Sequence, residues 1–151
     1  MPFHRIFAPK GFYSPADKAS FAESITKVYS IIPPFFVIVV FIDLPDGDLF
    51  VGGKPSKNQV RIGVEHTARN FTKCDADKRK FMERYEKAIQ PFTKERGIEW
   101  EVQVVDCDRH LLTLNGMELP KENSVEEKIW KAENRAVSYE EMEEMKSRGI
   151  V

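Results

Sequence analysis

The sequence predicts an α/β fold: two tandem βαβ units sharing one four-stranded mixed sheet, with two helices on one face and a short helical C-terminal tail. Three observations predict it. Two helical patterns each lie between two β-rich runs. The blocks so formed, residues 2–44 and 59–107, match in length and element order, as a pseudo-twofold pair would. Residues 108–151 then leave that pattern and carry two helix-capping spacings. The 151 residues fit one domain that buries its core without disulfides or a structural metal.

Residues Pro2 to Ala8 read as the first strand. Gly11 and Ser14-Pro15 then give a turn and a helix start, with Ser14 as cap, Pro15 at the first helical position and Asp17 in the first turn. Phe21, Ile25, Val28, Tyr29 and Ile32 recur at three-to-four spacing and form one apolar face, which Pro33 and Pro34 terminate. The unbroken apolar run Phe35 to Ile42 reads as a central strand covered on both sides. A helix of this length between two strands makes them parallel neighbours through a right-handed crossover.

The second unit repeats this order. Gln59 to His66 alternates, with Val60, Ile62 and Val64 on one side, so it reads as a strand with one wetter face. A helix follows over about 75–96 with Phe81, Tyr85, Ile89 and Phe92 along one stripe, and Pro91 should kink or shorten its end. Ile98 to Val105 supplies the last core strand. In the tail, Ser124 with Glu127 and Ser138 with Glu141 mark two short helices lying on the body or on a neighbouring subunit. A sheet with helices on one face leaves the other in need of cover, so an oligomer is expected.

Composition narrows the function classes. Charged residues make up 31% with both signs mixed and a net charge of −1, which argues against nucleic acid or a membrane as partner. The start MPFHRIFAPKG lacks the layout of a signal peptide, and the longest apolar run is about half of what a membrane-spanning helix needs, so a cytoplasmic protein is expected. Cys74 and Cys107 lack metal-binding spacing and read as free thiols, and His4, His66 and His110 show no ligand spacing either. No metal and no cofactor are implied.

The feature that points to chemistry is Met1-Pro2. Methionine is usually removed before a small second residue, which would leave a secondary amine at the tip of the first strand. A free α-amino group titrates at about 7.7–8.0, and an apolar or cationic pocket lowers it into the range of a base at neutral pH. If the first and third strands pair antiparallel, that amine lies beside the strand end carrying His66 and Arg69. An amine base next to an arginine that holds a carboxylate suits proton transfer on a small carboxylic or keto acid. Two plainer readings stay open: Arg69 as a surface residue, and His66 as a hydrogen-bonded strand-end histidine.

Pro2 after Met1, the βαβ repeat, the segment Ala22 to Tyr29, the step His66-Thr67-Ala68-Arg69 and the Gly116…Leu119-Pro120 tail together resemble the tautomerase superfamily. Within it they are most similar to the branch around cis-3-chloroacrylic acid dehalogenase, especially its fungal relatives. The resemblance covers the chain to about residue 120. It implies fused βαβ units, usually a homotrimer, and Pro2 as catalytic base or acid. It carries the dehalogenase's carboxylate-binding arginines onto His66 and Arg69, its helix histidine onto Tyr29 and its strand tyrosine onto Gln103. The carboxylate that activates water falls on or near Leu114, so hydration or dehalogenation would need Asp106, Asp108 or Glu118 in its place. Tautomerase-like chemistry needs less: Pro2 moves the proton, Arg69 holds the carboxylate, and His66, Tyr29 or Gln103 bonds the enol oxygen. Tyr29 also fits core packing, and Gln103 also fits a solvent-facing position. A hydratase or dehalogenase, or a non-catalytic binding protein on the same fold, is the alternative.

Overall fold

The computed structural model of the protein describes residues 1–69, 71 and 74–149. Its main sheet is built from β1 (Phe3–Pro9), β2 (Ile38–Leu44), β5 (Gln59–His66) and β6 (Glu99–Asp106) in the order β2-β1-β5-β6. The pairs β1–β2 and β5–β6 are parallel, and β1–β5 is antiparallel, so the two βαβ units meet along their first strands. Helices α1 (Pro15–Val28) and α2 (Asp75–Ile89) return each chain to the start of its partner strand and pack side by side on one face. Two small hairpins, β3 (Phe50–Val51) with β4 (Lys54–Pro55) and β7 (Thr113–Leu114) with β8 (Met117–Glu118), lie in the connections. The tail forms α3 (Val125–Glu133) and α4 (Tyr139–Ser147).

Local chemistry accounts for the element ends. Ser14 and Asp17 form a reciprocal capping box, in which the Asp17 amide donates to Ser14 Oγ at 3.1 Å and the Ser14 amide to Asp17 Oδ2 at 2.9 Å. Pro91 cannot donate a helical hydrogen bond, so α2 stops at Ile89 and the chain continues as two short 3₁₀ turns until Gly97, whose φ of 66° closes them. Ser124 and Ser138 each accept the amide three residues on, at 3.2 Å.

One expectation is corrected. The apolar run at 35–42 is not a central strand: Pro34–Phe36 forms a 3₁₀ turn, the strand starts at Ile38, and it occupies the sheet edge. The centre is taken by β1 and β5, the first strands of the two units. The run is apolar for another reason. Phe36 enters the core, Phe41 packs on Phe21, and Ile38 and Val40 lie on the sheet face without helices, where they remain 39% and 37% exposed.

The core lies between sheet and helices, around Ile6, Phe21, Ile25, Ile62, Tyr85 and Ile89. The opposite face is divided. Cross-strand partners share a face, so Phe3 stands with Ile38, Arg5 with Val40 and Phe7 with Ile42 on the β2 side. Towards β6 the same face is charged, with ion pairs Arg5–Glu65 and Arg61–Glu101.

Helix α3 seats the tail on the link between α1 and β2. Trp130 is buried against Phe35 and Phe36, Lys131 Nζ donates to the Ser30 carbonyl at 2.7 Å, and Asn134 Oδ1 accepts the Phe35 amide at 3.0 Å. Helix α3 thus lies on its own body, and Met142 of α4 is buried with the core cluster.

Candidate active site

The start of β1 and the ends of β5 and β6 meet at one end of the sheet. The antiparallel register that pairs Phe3 with Glu65 continues outward as Met1 against Thr67: the terminal amine donates to the Thr67 carbonyl at 3.0 Å and the Thr67 hydroxyl to the Met1 carbonyl. On the other side the Pro2 carbonyl accepts the Ile38 amide at 3.0 Å, and Pro2 is buried. The parallel register pairs His66 with Asp106, and the Cys107 amide reaches the His66 carbonyl at 2.9 Å. An amino terminus therefore sits inside three converging segments.

Burial and the Arg109 cation push the terminal amine down from 8.0 to about 5, against a smaller opposing influence of Cys107. An ammonium there lacks water to solvate it and faces a positive neighbour, so the neutral amine is favoured at pH 7.

Beneath the terminus lies a buried set of rings. His66 Nε2 is 2.9 Å from the Arg69 carbonyl oxygen, which can only accept, so Nε2 carries the proton. Burial lowers the His66 pKa, and in the neutral ring Nδ1 is then an acceptor for the Tyr29 hydroxyl at 3.4 Å. His4, fully buried, shares Nδ1 with the Tyr85 hydroxyl at 2.9 Å and lies edge-on to Tyr29. Its Nε2 has no hydrogen-bond partner among the described residues, and burial pushes its pKa from 6.5 to about 3. A cavity of about 580 Å³ opens beside His66 and Tyr29, walled by Val28, Phe71 and Phe81 and rimmed by Arg84.

The charged groups form a second layer. Arg69 grips Glu127 of α3 through two parallel hydrogen bonds of 2.9 Å, and Glu127 also accepts the Asn123 amide at 2.7 Å. This pair is well buried, with side chains 19% and 6% exposed. Arg109 bonds Glu122 at 2.9 Å and the Pro120 carbonyl at 2.7 Å, while the second Glu122 oxygen lies 3.6 Å from Arg69 Nε. A smaller hollow of about 370 Å³ next to Arg109 is lined by Glu118 and Glu122. Among the described residues no group of three or more His, Cys, Asp or Glu side chains is arranged to hold a metal ion.

Of the residues singled out in the sequence, Pro2, His66 and Tyr29 come together at this end. Arg69 joins them through its backbone, while its guanidinium turns to Glu127. Gln103 does not: it pairs with Gly63 three residues before the end of β6, on the sheet face without helices, and accepts a hydrogen bond from Arg61. Leu114 lies in the β7–β8 hairpin, Asp106 accepts the Phe71 amide at 3.3 Å, and Asp108 caps a 3₁₀ turn through the His110 amide. Arg109 escaped the sequence reading, although a signal existed. It stands three residues past Asp106, as Arg69 stands three past His66, and the two reference positions are register partners. Glu127 and the His4–Tyr85 pair, separated by 81 positions, left no comparable signal.

Comparison with known proteins agrees with this architecture. A family model described as "Putative oxalocrotonate tautomerase enzyme" matches residues 1–135. Among solved structures, native RhCC from Rhodococcus jostii RHA1 is 35% identical with a TM-score of 0.87, over 91% of this chain and 99% of that one. A protein of the thermophilic fungus Aspergillus fumigatus is 34% identical with a TM-score of 0.85, over 92% and 98% of the two chains. N1, a member of the cis-3-chloroacrylic acid dehalogenase family, shares the fold at 18% identity and a TM-score of 0.66, over 96% and 99%. No curated protein sequence matches the chain. With a family match over residues 1–135 and relatives above 30% identity along nearly its whole length, the chain belongs to the tautomerase superfamily, in the oxalocrotonate tautomerase-like family.

Proposed function

We propose that the protein is a tautomerase-like enzyme in which the amine of Pro2, freed by removal of Met1, moves a proton on a small carboxylic or keto acid. The observation that carries this reading is the depressed amine: where the chain begins, burial and Arg109 hold a terminal nitrogen near pKa 5. The Pro2 nitrogen, one residue further in, would meet the same environment. The neutral amine takes a proton from a carbon next to a carbonyl and returns it elsewhere, so no cofactor enters the step. Met1 packs against the buried core, and its departure would vacate a side chain's volume in front of Pro2.

Arg69 and Arg109 supply positive charge for the substrate carboxylate. Tyr29 and His66 are the candidates for the enol oxygen: the Tyr29 hydroxyl donates to His66 Nδ1 and the His66 Nε2–H to the Arg69 carbonyl, so either would exchange that internal bond for one to the substrate. Gln103 could contribute only to a site completed by a neighbouring subunit, because it stands on the sheet face without helices. That face, with Phe3, Phe7, Ile38, Val40 and Ile42 on one side, is the surface on which a homotrimer would assemble. No helix among the described residues is long and apolar enough to cross a membrane. Hydration or dehalogenation is the second reading, and one observation favours it: Glu118 lines the hollow beside Arg109, where a carboxylate could orient water.

The test is phenylpyruvate tautomerisation by protein whose intact mass shows Met1 removed, against Pro2→Ala and Arg69→Ala. A fall of about 100-fold in Pro2→Ala is expected, the lower end of what a positioned general base contributes. Equal rates in all three proteins would sink the reading. In the processed protein the rate should rise with pH through the amine pKa, below neutrality, because only the unprotonated amine is a base.

A further inference from the structure

We propose that Glu122 is a built-in carboxylate ligand of the Arg69–Arg109 pair, exchanged for the carboxylate of the incoming acid. The inference rests on the reading of these arginines as the anion-binding groups of the site, and it names what fills them in the empty protein. Among the described residues Glu122 alone makes an ion pair with both: Oε1 lies 2.9 Å from Arg109 Nη1 and Oε2 lies 3.6 Å from Arg69 Nε. The bridging geometry is the one a substrate carboxylate would adopt between two guanidinium groups.

The two tail carboxylates are held very differently. Glu127 is 6% exposed and accepts two bonds from Arg69 and one from the Asn123 amide, so removing it would strand a buried cation. Glu122 is 40% exposed and, among the described residues, accepts a single short hydrogen bond. It sits in a turn just before Asn123, whose φ of 62° places the bend there. Two arginines and two glutamates balance to zero. If Glu122 swings into water while an external carboxylate takes its place, the local charge is unchanged and Glu127 stays put. Exchange then costs only the difference between two similar ion pairs. It makes a carboxylate group on the ligand a requirement, and it weakens binding of every carboxylate by the strength of the internal contact.

Phenylacetate, an inert monocarboxylate, is a suitable probe because its binding does not depend on any reaction at Pro2. Its Kd is measured by calorimetry on the full chain, on Glu122→Gln, and on Glu126→Gln. Glu126 lies in the first turn of α3, four residues from Glu122, and pairs with Lys146 at 3.9 Å rather than with either arginine, so its variant controls for the change in net charge. Glu122→Gln should bind about fivefold more tightly, equivalent to about 1 kcal/mol at 1.4 kcal/mol per tenfold. Glu126→Gln should bind as the parent does, and adding Arg109→Gln to Glu122→Gln should abolish the gain. Glu122→Asp, which keeps the charge but loses one methylene of reach, provides a second arm should the amide variant fold poorly, and it should also bind more tightly than the parent. Equal Kd values for parent and Glu122 variants, an equal gain in Glu126→Gln, or no binding to any of them would overturn the inference. A gain in affinity without any phenylpyruvate turnover would instead leave the exchange standing and remove the tautomerase reading.

Discussion

At one end of the helix layer, Phe21 lies flat on Phe92, ring centroids 4.4 Å apart and planes within 5°, with Phe41 and Tyr13 closing edge-on. At the other end the rings are His4, Tyr29, His66 and Tyr85, each carrying a polar atom into the core. The first end is satisfied: the Tyr13 hydroxyl reaches the Phe92 carbonyl at 2.9 Å. The second leaves His4 Nε2 without a partner among the described residues, holds two histidines below their ordinary pKa, and borders a cavity. Local rules are obeyed where only packing is at stake and broken where the amino terminus enters, the pattern expected when a working site is built into one side of a stable layer.

The contrast can be broken in four ways. Phe21→Ala removes the centre of the packed end and should cost about 3–5 kcal/mol of stability in denaturant unfolding. Retention of Met1 should leave the fold intact yet lower turnover by about 100-fold or more, near 2.7 kcal/mol, because the Pro2 nitrogen stays an amide. A smaller drop would move the base elsewhere.

The third concerns acid. Unfolded, the His4 imidazole binds its proton near pH 6.5, whereas in the fold it does so only near 3. Between those values the unfolded chain holds more protons, so stability is fully present above 6.5 and falls as pH drops towards 3. In His4→Phe the slope of stability against pH across that window should be shallower by about 1.4 kcal/mol per pH unit. An unchanged slope would mean that His4 is not the group titrating. Smallest is Tyr29→Phe. Its hydrogen bond to His66 is long, so stability should change by less than about 1 kcal/mol while turnover falls about tenfold. Equal turnover would assign Tyr29 to packing alone.

The fold was legible in the chain because both βαβ units announce themselves locally, through the Ser14–Asp17 cap, the Phe21–Ile25 spacing and the alternation of Val60, Ile62 and Val64. The position of β2 was not, since strand order depends on which neighbours β1 accepts, and no local pattern encodes that. Of the site, Pro2 with His66 and Arg69 follows once β1 and β5 are paired. Arg109 follows directly from the end of β6, whereas Glu122 reaches the site through a tail whose placement rests on Trp130 finding Phe35 and Phe36, contacts spanning some hundred positions. The direction of the Arg69 guanidinium was hidden for the same reason, because Glu127 belongs to that tail.

The seat of Trp130 also gives the protein an optical label of its own. The chain has two tryptophans. Trp100 belongs to β6, half-buried, its indole N–H donating to Glu86 at 2.7 Å. Trp130 rides on the tail, buried, donating to the Val137 carbonyl at 2.9 Å. In a Trp100→Phe protein the emission reports the tail alone, and a red shift well below the global unfolding midpoint would register its lifting off the body. The native pair thus separates movement of the tail from melting of the sheet without any attached dye.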